Sequence, residues 1–320
     1  MDRTLISGDD GGFTAEFLSD TPYVTAHTSG STGAPKEIRL HKNDMRASAE
    51  ATCRHFGLTE RSKLVCPLSP QYIAGKMMIV RALVSGAHLE MIQPSSSPLE
   101  HWNGGYDIDL LPVVPAQVEA MLASPQLPRV RNLLIGGGAL SHTLETRLTE
   151  AGVAAWVSYG MTETCSHVAL RRAGCDTYET LSGIRVLTDS RKCLVIDIPT
   201  MSIGRIVTND IAEVISPTRF RWRGRFDNVI NSGGIKIHPE EDERLLAPYL
   251  CDTGAYYITS RVSARWGEEA VIVVTGTGMS DDEIIGICRQ VLPRHHVPKA
   301  VIRDQAPTFT SSGKPVRRRF

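Results

Sequence analysis

The 320-residue sequence predicts an α/β fold: a large N-terminal α/β unit with an additional small β-sheet or barrel, then a small C-terminal α+β unit. Three textures predict it. Strand-like and helix-like segments alternate from about residue 23 to 158, which argues for a mostly parallel sheet. Short strands separated by turns such as Thr188-Asp189-Ser190 follow, from about 166 to 216. A third region begins near Gly224 and is long enough to form its own core, which divides the chain into 1–224 and 225–320.

Residues 1–20 are polar and Gly-rich and read as a loose lead-in. Residues 23–27 form a short strand entering the Ser/Gly-rich segment 28–36. Met45, Ala49, Cys53 and Phe56 recur at helical spacing, so 43–57 is a helix. Strands follow at 63–68, 88–92, 109–114, 132–135 and 154–158. The helices between them are 73–84, 115–123 with Pro115 at its start, and 141–151 with Ser141 as N-cap and Glu145 in the first turn. In the second texture 166–172, 184–188, 192–198, 204–209 and 211–216 are strands. The third holds a hairpin over 228–237, helices at 239–246 and 281–292, and strands near 255–259, 270–275 and 299–303.

Composition excludes several functions. Lys plus Arg and Asp plus Glu are both 35, so the formal charge is zero. A neutral chain has no global field to hold nucleic acid or an anionic membrane, so any anionic ligand needs a local cluster of donors. No apolar run approaches the ~18 residues of a membrane span, and the N-terminus shows no signal peptide. The seven Cys are odd in number and form no CxxC pair, which fits reduced thiols in a cytoplasmic protein better than disulfides or a metal cluster.

The segment Thr28-Ser29-Gly30-Ser31-Thr32-Gly33-Ala34-Pro35-Lys36 carries the strongest chemical signal. Glycines let successive N–H groups aim at one anion, hydroxyls add donors, and Lys36 adds positive charge. A strand before it and a helix after it would complete a phosphate cradle. It is not a Walker A loop, because Gly33 is followed by Ala-Pro-Lys-Glu.

This signature resembles that of the acyl-adenylate-forming enzymes: acyl-CoA synthetases, luciferases and peptide-synthetase adenylation domains. Further motifs occur in that superfamily's order, and the resemblance runs from about residue 22 to 318. It implies ATP, Mg²⁺ and coenzyme A as ligands, a carboxylic acid as substrate, and a mobile C-terminal domain. In Tyr159-Gly160-Met161-Thr162-Glu163-Thr164, it implies that Tyr159 covers adenine, Thr162 contacts the α-phosphate and Glu163 binds Mg²⁺. It makes Gly136-Gly137-Gly138 the other wall of the adenine site. Thr208-Asn209-Asp210 resembles the superfamily's Thr-Gly-Asp, with Asn209 as a departure, and Asp210 would hold the ribose hydroxyls. Arg225 would assist there, Asp227 would be the hinge, and Ser232-Gly233-Gly234 would approach the thiol side. Lys314, in Ser311-Ser312-Gly313-Lys314, would bridge the substrate carboxylate and the α-phosphate.

The segment Pro67–Met78 occupies the acyl-pocket region, with Tyr72 in place of the usual His. Lys76 and Arg81 stand in an otherwise apolar helix. Buried cations need anions; a second carboxylate on the substrate would supply one, and a protein acid or solvent is the other reading. His167, Arg171 and Arg172 either face the acyl site or are structural. The wording YIAGKMM, IGGGA, YGMTETCSHVALRR and INSGGIKI is similar to the short bacterial o-succinylbenzoate–CoA ligases of menaquinone biosynthesis, whose substrate carries two carboxylates. Aryl- or medium-chain acyl-CoA ligases and a non-catalytic nucleotide-binding paralogue are the alternatives. The chain starts late relative to the superfamily, which implies an N-terminally shortened fold; a homodimer is compatible with the sequence.

Overall fold

A computed structural model describes residues 5–27, 37–250, 253–304 and 316–320. Residues 28–36, with Thr28, Ser29, Gly30, Ser31, Thr32, Gly33 and Lys36, lie outside the described residues, and so does Lys314.

Within the expected loose lead-in, the described residues from Ile6 on hold regular elements. Strand β1 (Ile6–Ser7) pairs in parallel with a later strand, and helix α1 (Phe13–Leu18) buries Phe13 and Phe17 on one face. The two Asp10 carboxylate oxygens accept from the N–H groups of Gly12 and Thr14 and start the helix. Six residues are too few for a period to be read. Lys42, itself buried, donates to the carbonyls of Glu16 and Ser19 at the other end of α1.

Strands β2 (Tyr23–His27) and β3 (Glu37–His41) form an antiparallel pair on either side of 28–36. Helix α2 (Lys42–Phe56) is N-capped by the His41 side chain and stops at Gly57, in the left-handed region at φ +63°. Then come β4 (Lys63–Cys66), α3 (Ile73–Ser85), β5 (His88–Met91), β6 (Leu111–Val113), α4 (Pro115–Ala123), β7 (Leu133–Ile135), α5 (His142–Glu150) and β8 (Ala155–Gly160). Ser141 accepts from Leu144 N–H and caps α5. Strands β1, β5 and β4 form a parallel sheet.

The remaining N-terminal strands are β9 (His167–Arg172), β10 (Thr177–Thr180), β11 (Arg185–Thr188), β12 (Cys193–Ile198), β13 (Gly204–Ser216) and β14 (Arg219–Arg225). They do not form a detached small sheet. The order β11-β12-β13-β14-β10-β9-β8-β7-β6 is one nine-stranded sheet, parallel over β6–β8 and antiparallel beyond. The two strands expected at 204–209 and 211–216 are a single strand, β13, with register shifts at Ile211/Ala212 and Val214/Ser216. Such bulges bend a strand without ending it.

The C-terminal part has β15 (Ile230–Ser232), β16 (Ile235–Ile237), α6 (Pro239–Leu246), β17 (Tyr256–Ser263), β18 (Gly267–Val274), α7 (Asp281–Val291) and β19 (Val301–Arg303). Its apolar cluster draws only on residues from Ile230 to Val301, while two other clusters fill the N-terminal part. Among the described residues no helix is long and apolar enough to cross a membrane.

Candidate active site

The parallel strands β7 and β8 end side by side, and both deliver site residues there. Beyond β7, Gly136 lies so close to Ser158 that an added Cβ would stand 2.7 Å from its hydroxyl, and Gly137 has φ +83°. At the end of β8, a Cβ on Gly160 would stand 2.3 Å from the Ser166 carbonyl oxygen. Backbone atoms make glycine necessary at Gly160, whereas at Gly136 a Cβ would displace the Ser158 hydroxyl from the Ile135 carbonyl. Thr162–Thr164 form a single 3₁₀ turn, held by Met161 N–H donating to Thr164 Oγ1 at 3.0 Å. Thr164 is buried, whereas Glu163 is exposed.

Tyr159, Asp210 and Arg225 are brought together from three strands. The Tyr159 hydroxyl donates to Asp210 Oδ2 at 2.7 Å, and Arg225 Nη1 lies 3.7 Å from Asp210 Oδ1. Register explains the second contact: Asp210 on β13 sits opposite Arg225 on β14. Burial, and then the Asp210 charge, push the Tyr159 phenol far above its ordinary value. It stays a donor at any physiological pH. Tyr159 meets Phe220 edge-on at 5.3 Å. One residue the sequence did not single out joins this group: Trp222 donates its indole N–H to Asp210 Oδ1 at 3.2 Å. Asp210 thus has a hydrogen-bond donor on each oxygen.

Asn209, where the motif departs from Gly, reaches Asp227 Oδ2 at 3.4 Å, and Arg225 Nη2 reaches the same oxygen at 3.2 Å. Asp227 accordingly lies at the junction of the two parts of the chain. The end of the chain returns there as well. Arg317 makes a buried ion pair with Glu243, and Arg319 donates to the Asp227 carbonyl at 3.0 Å. Gly233 and Gly234 are both left-handed, at φ +59° and +88°, and turn the β15–β16 hairpin beside Ser232. A Cβ on Gly233 would stand 2.5 Å from the Trp266 ring.

The acyl-pocket candidates separate. Tyr72 is 57% exposed at the head of α3. Lys76 finds an acid within the chain: its Nζ is 3.8 Å from Glu16 and 4.2 Å above the Phe13 ring. Burial lowers its pKa and Glu16 opposes that. Arg171 is tied to Glu145 by two bonds of 2.6 and 2.8 Å, and Arg172 lies 4.5 Å over Trp156. Both are structural. Arg81 is 2% exposed, and no carboxylate among the described residues pairs with it. Its Nη2 donates to Ser166 Oγ at 2.9 Å, its Nη1 to Met78 Sδ at 3.4 Å, and its Nε to nothing among the described residues. Burial lowers its pKa to about 10, so it remains a cation at neutral pH. His167, beside Ser166, is buried and held well below its ordinary pKa by burial and then by Arg81.

The AMP-binding enzyme family matches residues 9–208. The chain is 24% identical to the 2-succinylbenzoate–CoA ligase of Enterococcus faecalis over 338 residues, covering 92% of this chain and 68% of that protein. It is 25% identical to that of Listeria monocytogenes over 316 residues, covering 90% and 67%. Among solved structures, an acyl-CoA synthetase (AMP-forming)/AMP-acid ligase II-like protein from Dyadobacter fermentans is 31% identical, with TM-score 0.65 and coverage of 95% of this chain and 90% of that one. The o-succinylbenzoate coenzyme A synthetase of Bacillus subtilis, in complex with ATP and magnesium ion, has TM-score 0.79 at 20% identity, with 92% and 68% covered. That last likeness is one of fold.

Proposed function

This chain belongs to the AMP-binding enzyme family, and from that premise we propose that it is an acid–CoA ligase whose acid is o-succinylbenzoate. It is an AMP-forming ligase, so a carboxylate attacks the α-phosphorus of ATP, releasing pyrophosphate and leaving an acyl-adenylate. The thiol of CoA then displaces AMP. Such chemistry is positioning and charge stabilisation more than covalent work by the protein. Asp210, preset by Tyr159 and Trp222, receives the ribose hydroxyls. Thr162 and the 28–36 loop hold phosphates, Gly136-Gly137-Gly138 and Tyr159 hold adenine, and Lys314 bridges the reacting carboxylate and phosphate. Glu163, an exposed carboxylate beside Thr162, suits Mg²⁺, which takes oxygen ligands and, when bound, offsets phosphate charge.

The single observation that carries the choice of acid is the buried Arg81 guanidinium with no carboxylate partner among the described residues. A monocarboxylic acid offers it nothing once that carboxylate is being activated. An acid with a second carboxylate supplies the missing charge. The relatives named for 2-succinylbenzoate support the same choice. The separate apolar cluster of residues 230–301 supports a division at 224/225, with 225–320 rotating about Asp227 between the half-reactions and bringing Ser232, Gly233 and Gly234 toward CoA. ATP and CoA as substrates make the cytoplasm its place of work.

Pyrophosphate release, measured against a panel of aryl, medium-chain and dicarboxylic acids with and without CoA, tests this reading. Turnover should be fastest with o-succinylbenzoate, and its thioester should appear when CoA is present. Turnover of other acids with none on o-succinylbenzoate would refute the substrate, and turnover of none would refute the ligase.

A further inference from the structure

Behind Arg81 runs a line of polar side chains from α2 and the start of β9, with His167 and Thr52 buried and Ser166 half-buried, and counting its protons decides its direction. Ser166 Oγ lies 3.3 Å from His167 Nδ1, and His167 Nε2 lies 3.1 Å from Thr52 Oγ1. The Thr52 hydroxyl donates to the Ser48 carbonyl at 3.1 Å, one turn back on α2. A hydroxyl has one proton. Thr52 spends its own on Ser48, so it must accept from His167 Nε2–H. His167 Nδ1 is then an acceptor, and the Ser166 proton goes to it. The Ser166 oxygen is left to accept from Arg81 Nη2, as observed at 2.9 Å. The opposite polarity satisfies fewer of these groups. With Nδ1 protonated, Ser166 would accept from both His167 and Arg81, and its own proton would have no acceptor among its hydrogen-bond partners. A doubly protonated His167 is disfavoured in the same way, and would place a second cation beside Arg81 at 5% exposure.

The chain of bonds grips Arg81 by one corner. Of the five N–H groups on a guanidinium, one is given to Ser166 and one to a thioether sulfur, a weak acceptor, while Nε is unused among the described residues. Nothing in the line is anionic. The neighbouring thiols are neutral too: burial pushes Cys66 up to about 12 and raises Cys53. The orientation of Arg81 is fixed by neutral dipoles while its charge is left uncompensated.

We infer that Ser166, His167 and Thr52 are specificity-setting positioning residues: a directional, neutral relay that holds Arg81 ready for the second, non-reacting carboxylate of the acid, in direct contact or through one water. This rests on the reading of the acid given above. The relay replaces the carboxylate that would otherwise orient a buried Arg, and a carboxylate there would compete with the substrate's own.

The test compares o-succinylbenzoate with 4-oxo-4-phenylbutanoate, the same skeleton without the ring carboxylate, as a ratio of kcat/KM in pyrophosphate release. Arg81→Met should abolish the preference for the dicarboxylate. Ser166→Ala, which removes a hydrogen bond to the charged Arg81, should lower the ratio about tenfold, and Thr52→Val, which removes a neutral bond further back, about three- to tenfold. Circular dichroism and thermal melts establish that each variant is folded, and Thr52→Val, nearly isosteric, covers the case in which Ser166→Ala is not. A purely structural role would move both substrates together and leave the ratio alone. Nitrogen-15 NMR of the His167 ring in the wild-type enzyme should show the neutral Nε2–H tautomer. If Arg81→Met abolishes the preference but the other two variants keep it, or if the ring is protonated at Nδ1, the relay is wrong. If Arg81→Met keeps the preference, the reading of the acid is what fails.

Discussion

Asp210 is held by three neighbours from two strands. It is 8% exposed and is met by the Tyr159 hydroxyl, the Trp222 indole N–H and the Arg225 guanidinium. Asp210→Asn keeps the shape but turns an acceptor into a partial donor facing two N–H or O–H donors. Hydrogen bonds to charged groups contribute about 1.5–3 kcal/mol, so kcat/KM for ATP should fall by roughly 10- to 100-fold. Initial rates against ATP concentration measure it, and an unchanged value would remove Asp210 from the ribose site. Lys314 belongs at this scale as well. Lys314→Ala should slow adenylation by roughly 10²–10³-fold, about 3–4 kcal/mol, by analogy with losing one preorganised donor. It should spare thioester formation from preformed acyl-adenylate, and a variant in which both half-reactions survive contradicts the role.

Among the elements, those with a strong period were legible and those held by charge were not. Helix α4 and helix α6 begin and end where Pro115, Pro239 and the apolar spacing predict. Strand β14 was missed because Arg219-Phe220-Arg221-Trp222-Arg223-Gly224-Arg225 reads as a basic run. In place its arginines pair with Glu179, Asp176, Glu213 and Glu241 on neighbouring elements, and Phe220 is fully buried. Trp222 could not be singled out without that strand, since only the β13–β14 pairing brings it to Asp210. Helix α5 is joined to β9 by a pair of another kind: Glu145 and Arg171 side chains are 14% and 13% exposed. Removing one partner of a buried pair leaves an uncompensated charge, at a cost of about 3–5 kcal/mol. Glu145→Ala should lower the denaturant midpoint accordingly; a shift as small as that of an exposed pair such as Arg205–Asp197 would show that solvent reaches Arg171.

For the whole molecule, the buried relay predicts acid sensitivity. Burial, with Arg81 and then His55 adding to it, holds the folded-state pKa of His167 well below 6.5. Below pH 6.5 the unfolded chain therefore binds a proton that the folded chain does not. Stability is full above about pH 6.5 and is lost on acidification, by about 1.4 kcal/mol per pH unit from this group alone. His55 and His238, lowered mainly by burial, act in the same direction. Denaturant melts between pH 5 and 7.5 should show the fall, and His167→Asn should make it shallower. An equal slope in that variant would mean His167 is not buried neutral.

By itself the sequence determined the α/β class, the AMP-forming chemistry and the order of the motifs. The class depends on local signals, hydrophobic period and capping residues, and the chemistry on the resemblance that the ordered motifs carry to a known superfamily. Only the tertiary structure decided which cations were already answered. Lys76 and Arg81 are five positions apart in one helix and read alike in sequence. Helix α1 brings Glu16 to Lys76, while among the described residues the Arg81 guanidinium bonds only to the neutral Ser166 and Met78 side chains. Whether a buried charge is compensated depends on what the fold carries to it from 60 or 85 residues away, and no local pattern encodes that distance.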